Sequence, residues 1–197
     1  MRTITFKTYT FDELTPEARE KAIENVRDGV ADINQCFVND ELCEGLKYLE
    51  SAMSIKLRDA EIDAWSYRFN FVMKDEWKDL EDDPRFLCRY LDRLADNTWE
   101  GKYYSKRQKS RTSKVLFSHW QFSGMWYNEA FSREMNWRFE YVRDGFSIRE
   151  FVDSVLTEFF IAGQRELEYC YTDEAITDTI LANNYEFLEN GTMYTHF

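Results

Sequence analysis

The chain contains few of the residues that interrupt regular structure, cross-link loops or bind metals. Its 197 residues include seven Gly, two Pro, four Cys and two His. So few Gly and Pro argue against long irregular loops and predict helices and strands joined by short connections. The cysteines form no CxxC pair and have too few His beside them for a zinc site, so we interpret them as reduced thiols of the core.

Long apolar runs are also missing. No stretch approaches the roughly 18 residues that a membrane-spanning helix needs. Residues 1–11 lack the apolar centre of an export signal. We therefore expect a soluble protein of a bacterial-type cytoplasm that makes no membrane contact.

Catalytic and cofactor motifs are absent from the sequence. It contains no GxxxxGK[ST], GxGxxG, HExxH or GxSxG segment, which excludes the usual nucleotide, zinc and hydrolase signatures. His119 lies in an aromatic-rich segment, where a core histidine is the more frequent role. We predict no catalytic residue, no metal and no cofactor. The alternative is a metal-dependent enzyme that assembles its site from scattered carboxylates.

Apolar material for a core is plentiful. Hydrophobic residues make up 44% of the chain and aromatic residues 17%, which excludes a disordered tail. No change in composition marks a domain boundary. We predict a single α+β domain over residues 1–197, with a mostly antiparallel sheet packed by about five helices.

Alternating apolar and polar residues predict the strands. Such runs cover residues 2–8, 55–57, 65–73 and 137–141. Residues 115–122 are apolar on both faces, which is typical of a central strand. The second and third runs are typical of neighbouring antiparallel strands, and residues 185–194 predict a hairpin that turns at Asn190 and Gly191. Residues 124–135 fit either a turn with a strand or a short helix.

Two helices are predicted in the first quarter of the chain. Thr15 and Pro16 form a helix start, with Ala18, Ala22, Ile23 and Val26 on one stripe. Gly29 is a natural end for this helix. Asn39 can cap a second helix over about residues 40–53, whose apolar stripe is Leu42, Leu46, Leu49 and Met53.

Three further helices follow from capping signals. Asp83 and Pro84 begin one, with the inner stripe Leu87, Tyr90, Leu91 and Leu94. Ser147 and Glu150 form a capping box before the apolar face Ile148, Phe151, Val152, Val155, Leu156, Phe159 and Phe160. Thr172 begins the last helix, through Ala175, Ile176 and Ile180.

Charge is distributed unevenly along the chain. The net charge is −12, yet residues 102–114 hold six cations and no acid, which leaves −18 for the rest. We predict an exposed basic loop here, in which cations contact phosphates and aromatic rings stack on bases. The candidate residues are Lys102, Tyr103, Tyr104, Lys106, Arg107, Lys109, Arg111 and Lys114. The alternative is a solvated loop that balances the acidic body.

The acidic remainder suggests a second binding mode. Dense carboxylates can act as a DNA mimic and occupy a cationic groove on a partner. The candidate partner-binding residues are Asp79, Glu81, Asp82 and Asp83, which stand close together in the sequence. An acidic surface that only keeps the protein in solution explains the same charge.

Both ends of the chain resemble those of a widespread group of small phage and prophage proteins, some of them labelled antitoxins. Residues 7–29 match an opening like YTFDEL followed by an Ala/Lys-rich helix, and residues 172–194 match an ending like ANxYEFxxxG. The two stretches cover about a quarter of the chain. Between them, residues 122–131 (FSGMWYNEAF) keep the FSG but not the glycine-rich, acidic continuation of the group.

This resemblance implies an inhibitor of host defence, and its most concrete form is an anti-CRISPR protein that binds a Cas9-type effector nuclease. The expected partner is then a host effector protein or ribonucleoprotein, with RNA or DNA contact through the basic loop. A nucleic-acid-binding regulator or antitoxin is the alternative. A homodimer formed through an aromatic face with Trp126 and Tyr127 is equally compatible with the sequence.

Overall fold

The computed structural model describes residues 7–74, 77–98 and 145–194. They form helices and antiparallel strands, which confirms the predicted α+β class. The helices are α1 (Pro16–Ala52), α2 (Leu87–Thr98), α3 (Ile148–Tyr169) and α4 (Asp173–Ala182), and the strands are β1 (Tyr9–Thr10), β2 (Ile55–Ile62), β3 (Tyr67–Met73) and β4 (Glu186–Phe187). Short 3-10 turns, Phe11–Glu13 and Pro84–Phe86, precede α1 and α2.

The chain groups into two compact units. The first unit comprises residues 1–39 and 165–197, and the second unit comprises residues 40–164. Both α1 and α3 contribute residues to each unit. The described strands form two antiparallel pairs, β1 with β4 and β2 with β3. The single domain expected over residues 1–197 stays a prediction.

Helix α1 differs from the sequence-based prediction. Gly29 does not end a helix and Asn39 does not begin one, because both lie inside the continuous α1. A glycine within a helix costs only about 1 kcal/mol relative to alanine. The turn after it buries Val30 and Ala31, at 3% and 0% exposure. Burial of these side chains offsets the weak helix propensity of Gly29.

The core of the first unit forms around the start of α1. Of the predicted stripe, Ala18, Ala22 and Val26 are buried in one apolar cluster with Ile176 and Ile180 of α4, and Ile23 is partly buried against that cluster. The Thr172 side chain caps α4 by accepting a hydrogen bond from the Ala175 amide, as predicted. The last two helices of the chain therefore begin where the sequence places them.

The turn at Gly191 packs closely on α1. Leu188 N donates to the Thr192 carbonyl at 2.8 Å, which closes the predicted hairpin turn. Gly191 has a φ of +83°, in the left-handed region that favours glycine. A Cβ on this residue would lie 2.3 Å from the Ala18 carbonyl oxygen. Both the backbone conformation and the space therefore require glycine.

The second unit contains the predicted β2–β3 hairpin. Ile55 pairs with Met73 and Ile62 with Tyr67. The Asp63 carboxylate closes the connecting turn by accepting hydrogen bonds from the Trp65 and Ser66 amides, both at 2.7 Å. These amide donors lower the pKa of Asp63.

Helix α3 supplies the apolar face of the second unit. Its capping box is present: Ser147 N donates to Glu150 Oε2 at 2.8 Å, and Glu150 N donates to Ser147 Oγ at 3.2 Å. The predicted face is buried throughout, with none of its seven side chains above 3% exposure. Phe69 of β3 stacks on Phe160 with ring centroids 4.9 Å apart. The helix therefore packs on the hairpin through aromatic contacts.

Tyr90 joins α2 to the rest of the second unit. Its hydroxyl donates to the Met53 carbonyl at 2.9 Å, and its ring meets Trp77 edge-on at 5.2 Å. Leu87, Tyr90 and Leu91 are buried, as the predicted stripe of this helix requires.

Several other predictions lie outside the described residues, and one is wrong in part. The strands predicted over 115–122 and 137–141, the segment 124–135 and most of the strand 2–8 lie outside the described residues. Cys36 and Cys43 are exposed, so their assignment to the core is wrong, whereas Cys170 is buried. No helix among the described residues has both the length and the apolarity to cross a membrane.

The continuity of α1 and the close packing of the Gly191 turn can each be tested with one glycine substitution. Gly29→Ala should raise the free energy of unfolding by about 0.5–1 kcal/mol, since alanine favours helix and a Cβ there meets nothing within 4 Å. Gly191→Ala should lower it by at least about 2 kcal/mol. Urea denaturation measures both. Destabilisation by Gly29→Ala would contradict an unbroken helix.

Candidate partner-binding surfaces

The four acidic residues predicted to bind a partner lie between β3 and α2, and the structure gives them different surroundings. Glu81 is the most buried, with 15% of its side chain exposed. Its Oε1 accepts a hydrogen bond from Arg149 Nη2 at 3.1 Å, and its backbone carbonyl accepts one from the Arg149 amide at 3.0 Å. Glu81 therefore anchors the acidic turn to the first turn of α3.

Arg149 has further contacts that hold it in place. Its guanidinium lies over the Phe71 ring, 5.1 Å from the centroid, and its Nε lies 3.8 Å from Asp82 Oδ1. The second carboxylate oxygen of Glu81 is buried and has no hydrogen-bond partner among the described residues. Within the part of the chain that the structure describes, Arg149 is the cation that pairs with Glu81.

Asp83 has a local structural role. Its side chain accepts a hydrogen bond from the Arg85 amide at 3.0 Å, which caps the 3-10 turn at Pro84 as the sequence predicts. The Arg85 guanidinium also donates to this carboxylate, and these bonds lower the pKa of Asp83. Partner binding by these four acids stays a prediction. Asp79 and Asp82 are the two of them that are exposed.

The basic loop lies outside the described residues, and so do all of its candidate residues. Those are Lys102, Tyr103, Tyr104, Lys106, Arg107, Lys109, Arg111 and Lys114. Their role in binding stays a prediction.

A groove in the first unit was not predicted from the sequence. It has a volume of about 440 Å³ and lies between α1 and α4. Ile33 and Phe37 of α1 form its apolar wall, and Ala182 and Tyr185 contribute from the other side. Ile33 and Phe37 are four residues apart and therefore share a helix face. That spacing would have revealed the wall if the helix had not been predicted to end at Gly29.

Hydrogen bonds fix the floor of the groove. The Asn34 amide donates to Thr179 Oγ1 at 3.1 Å, and the Thr179 hydroxyl donates to the Ala175 carbonyl at 2.9 Å. Asn183 Nδ2 donates to the Thr179 carbonyl at 2.8 Å. The polar side chains of Asn34, Thr179 and Asn183 are thus paired with one another or with the backbone. The exposed side chains of Ile33 and Phe37 are the apolar surface that the groove leaves in solvent.

The α4 side of the groove is acidic. Asp178 is one of its lining residues, and Glu174 lies one helical turn before it. Partial burial, followed by the charges of Glu174, Asp178 and Glu166, raises the pKa of the nearby Tyr169. Residues 166–197 contain seven acidic residues and no Lys or Arg. The groove therefore lies beside carboxylates that no cation of this segment compensates.

No cluster of three or more metal-binding side chains occurs within residues 7–74, 77–98 and 145–194. Comparison of the chain with protein-family models, with curated proteins and with solved structures finds no match.

The structural role of Glu81 predicts unequal effects of two charge substitutions. Arg149→Met should lower the free energy of unfolding by about 2 kcal/mol, because it leaves the largely buried Glu81 carboxylate without its cation. The exposed Asp82→Asn should change it by less than about 0.5 kcal/mol. Thermal or urea unfolding compares the two variants. Equally small effects would show that Glu81 does not anchor the turn.

Proposed function

We propose that this protein inhibits host defence on behalf of a phage or other mobile element by binding a host effector protein or ribonucleoprotein. Its most concrete form is an anti-CRISPR protein that binds a Cas9-type nuclease and blocks DNA binding or cleavage. The observation that carries the proposal is the pair of exposed apolar side chains Ile33 and Phe37 beside the acidic residues of α4. The resemblance of residues 7–29 and 172–194 to phage proteins supports the same function.

The surface composition fits a binding protein. Specific interfaces combine an apolar centre with a polar rim. Ile33 and Phe37 are 48% and 68% exposed, although both are large hydrophobic residues. A net charge of −12 favours encounter with proteins whose cationic grooves normally hold nucleic acid.

The proposed mechanism is steric and electrostatic. Exposed carboxylates such as Asp79 and Asp82 pair with Lys and Arg of the effector that otherwise contact DNA phosphates. The bound protein then occupies the space that DNA requires. No covalent bond is made or broken, so inhibition scales with the occupancy of the complex.

Inhibition is tested by incubating the protein with guide-loaded effector nucleases of several types and measuring co-purification and target cleavage. We expect a complex and a loss of cleavage with at least one effector. Asp79→Asn with Asp82→Asn should slow association about three- to tenfold at low salt, because both acids attract the cationic groove. Glu189→Gln with Asp12→Asn is the matched control, since it removes the same charge from exposed positions elsewhere.

Two outcomes of this experiment would contradict the proposed inhibition or its interface. Unimpaired cleavage and no complex with any effector would overturn the proposed inhibition. Equal slowing by the control pair would assign the effect to net charge alone and remove Asp79 and Asp82 from the interface.

The basic loop favours a second function, a nucleic-acid-binding regulator or antitoxin. Its cations, unbroken by any acid, are the observation that supports this function. Replacement of Lys106, Arg107, Lys109 and Arg111 with alanine should abolish a gel shift of DNA or RNA, and wild-type binding should weaken steeply with salt. Absence of a shift at low salt would dispose of this alternative.

A further inference from the structure

We propose that the groove between α1 and α4 binds an amphipathic, cationic α-helix of a partner protein. Apolar side chains of that helix pack on Ile33 and Phe37, and its Lys or Arg side chains pair with Asp178. The inference deepens the proposed function, on which its biological role rests, by naming the kind of segment that the protein recognises.

Most of the exposed large hydrophobic side chains that the structure describes lie in the first unit. Five large hydrophobic side chains are exposed among the described residues, and four of them belong to the first unit: Ile33, Phe37, Tyr169 and Leu181. Two of them, Ile33 and Phe37, line the groove from neighbouring positions on one face of α1. Scattered single hydrophobic residues on a surface need no explanation, but neighbouring ones that line a groove indicate an interaction site. Phe37 stands 68% exposed at the groove, so only an occupant large enough to reach over its ring can bury it.

The walls of the groove favour a helical occupant. Most of the lining residues belong to α1 and α4, whose interior backbone amides and carbonyls are paired within each helix. Beyond the end of α4, the Asn183 and Tyr185 amides donate to backbone carbonyls of that helix. An extended segment lying in the groove would find no backbone partners, whereas a helix satisfies its own. An amphipathic helix also presents apolar residues three and four positions apart, which matches the spacing of Ile33 and Phe37.

The acidic charge of the first unit favours a cationic partner. The first unit carries 14 acidic and six basic residues, and Glu174 and Asp178 lie on the α4 side of the groove. The equally acidic first unit of a second copy would be repelled, as would nucleic acid. A helix with Lys or Arg on its polar face is attracted instead, so the charge complements a cationic protein segment.

A designed peptide tests the inference with the full-length protein. The probe is a fluorescein-labelled Leu/Lys peptide of about 18 residues, with Leu at helical spacings of three and four and Lys elsewhere. We expect it to bind, as followed by fluorescence anisotropy. A peptide of the same composition in scrambled order, and one with Glu in place of Lys, should bind at least about tenfold more weakly because they lack the apolar face or the charge.

Variants of the protein assign binding to the groove. Phe37→Ala should weaken binding at least about tenfold by removing the most exposed apolar contact, and Asp178→Asn should weaken it about threefold and flatten its salt dependence. Trp65→Ala is the matched control, because Trp65 is an aromatic residue of the second unit with 71% exposure. Its affinity for the peptide should stay unchanged. Phe37 is exposed, and an unchanged melting temperature verifies that its substitution leaves the fold intact.

Several results would overturn the inference. They are absence of peptide binding, equal binding by the wild type and Phe37→Ala, and a concentration-dependent dimer in sedimentation velocity that Phe37→Ala abolishes. The last result would assign the groove to a second copy of the chain.

Two further results distinguish failure of the proposed inhibition from failure of helix binding in the groove. A Phe37→Ala variant that loses the peptide but inhibits an effector fully would break the link between the groove and that function. Peptide binding that depends on Phe37, in a protein that inhibits no effector, would keep the groove and remove the proposed inhibition.

Discussion

The unbroken course of α1 is the constraint on which the rest of the described structure depends. Its first half supplies Ala18, Ala22 and Val26 to the core of the first unit, and its second half supplies Leu42 and Leu49 to the core of the second. Within the first unit, this continuity orients Ile33 and Phe37 relative to Ala18 and Ala22, because a helix advances about 100° per residue. An interruption at Gly29 would reorient Ile33 and Phe37 relative to the first turns of α1, which pack with Ile176 and Ile180 of α4.

The sequence predicted the elements whose signals are local. The capping box of Ser147 and Glu150 and the face that follows it depend on residues within a few helical turns, and the structure contains both. The β2–β3 hairpin is another such element. The helix end at Gly29 was wrong because local propensity competes there with burial of Val30 and Ala31, which depends on contacts distant in the sequence. The groove was missed for the same reason.

Charge density alone could not separate structural acids from exposed ones. Asp82 and Glu81 are neighbours in the sequence, yet Asp82 is 81% exposed and Glu81 is 15% exposed. Glu81 accepts two hydrogen bonds from Arg149, which stands 68 positions further along the chain, whereas the Asp82 carboxylate lies 3.8 Å from the same guanidinium. Asp83 is a contrasting case, because its cap depends on Arg85 only two residues away, and the sequence predicted that cap. Contacts between residues that are close in the sequence can be predicted from it, whereas contacts between distant residues, such as Arg149 and Glu81, cannot.

The two exposed thiols on α1 have a practical consequence for handling the protein. Cys36 and Cys43 are both accessible to solvent, and neither forms a disulfide. Accessible thiols of separate molecules oxidise to mixed or intermolecular disulfides in aerated buffer. Purified material stored without a reductant will therefore accumulate covalently linked pairs of chains, joined beside Phe37 when Cys36 reacts. Such pairs would imitate a native dimer and block the neighbouring groove.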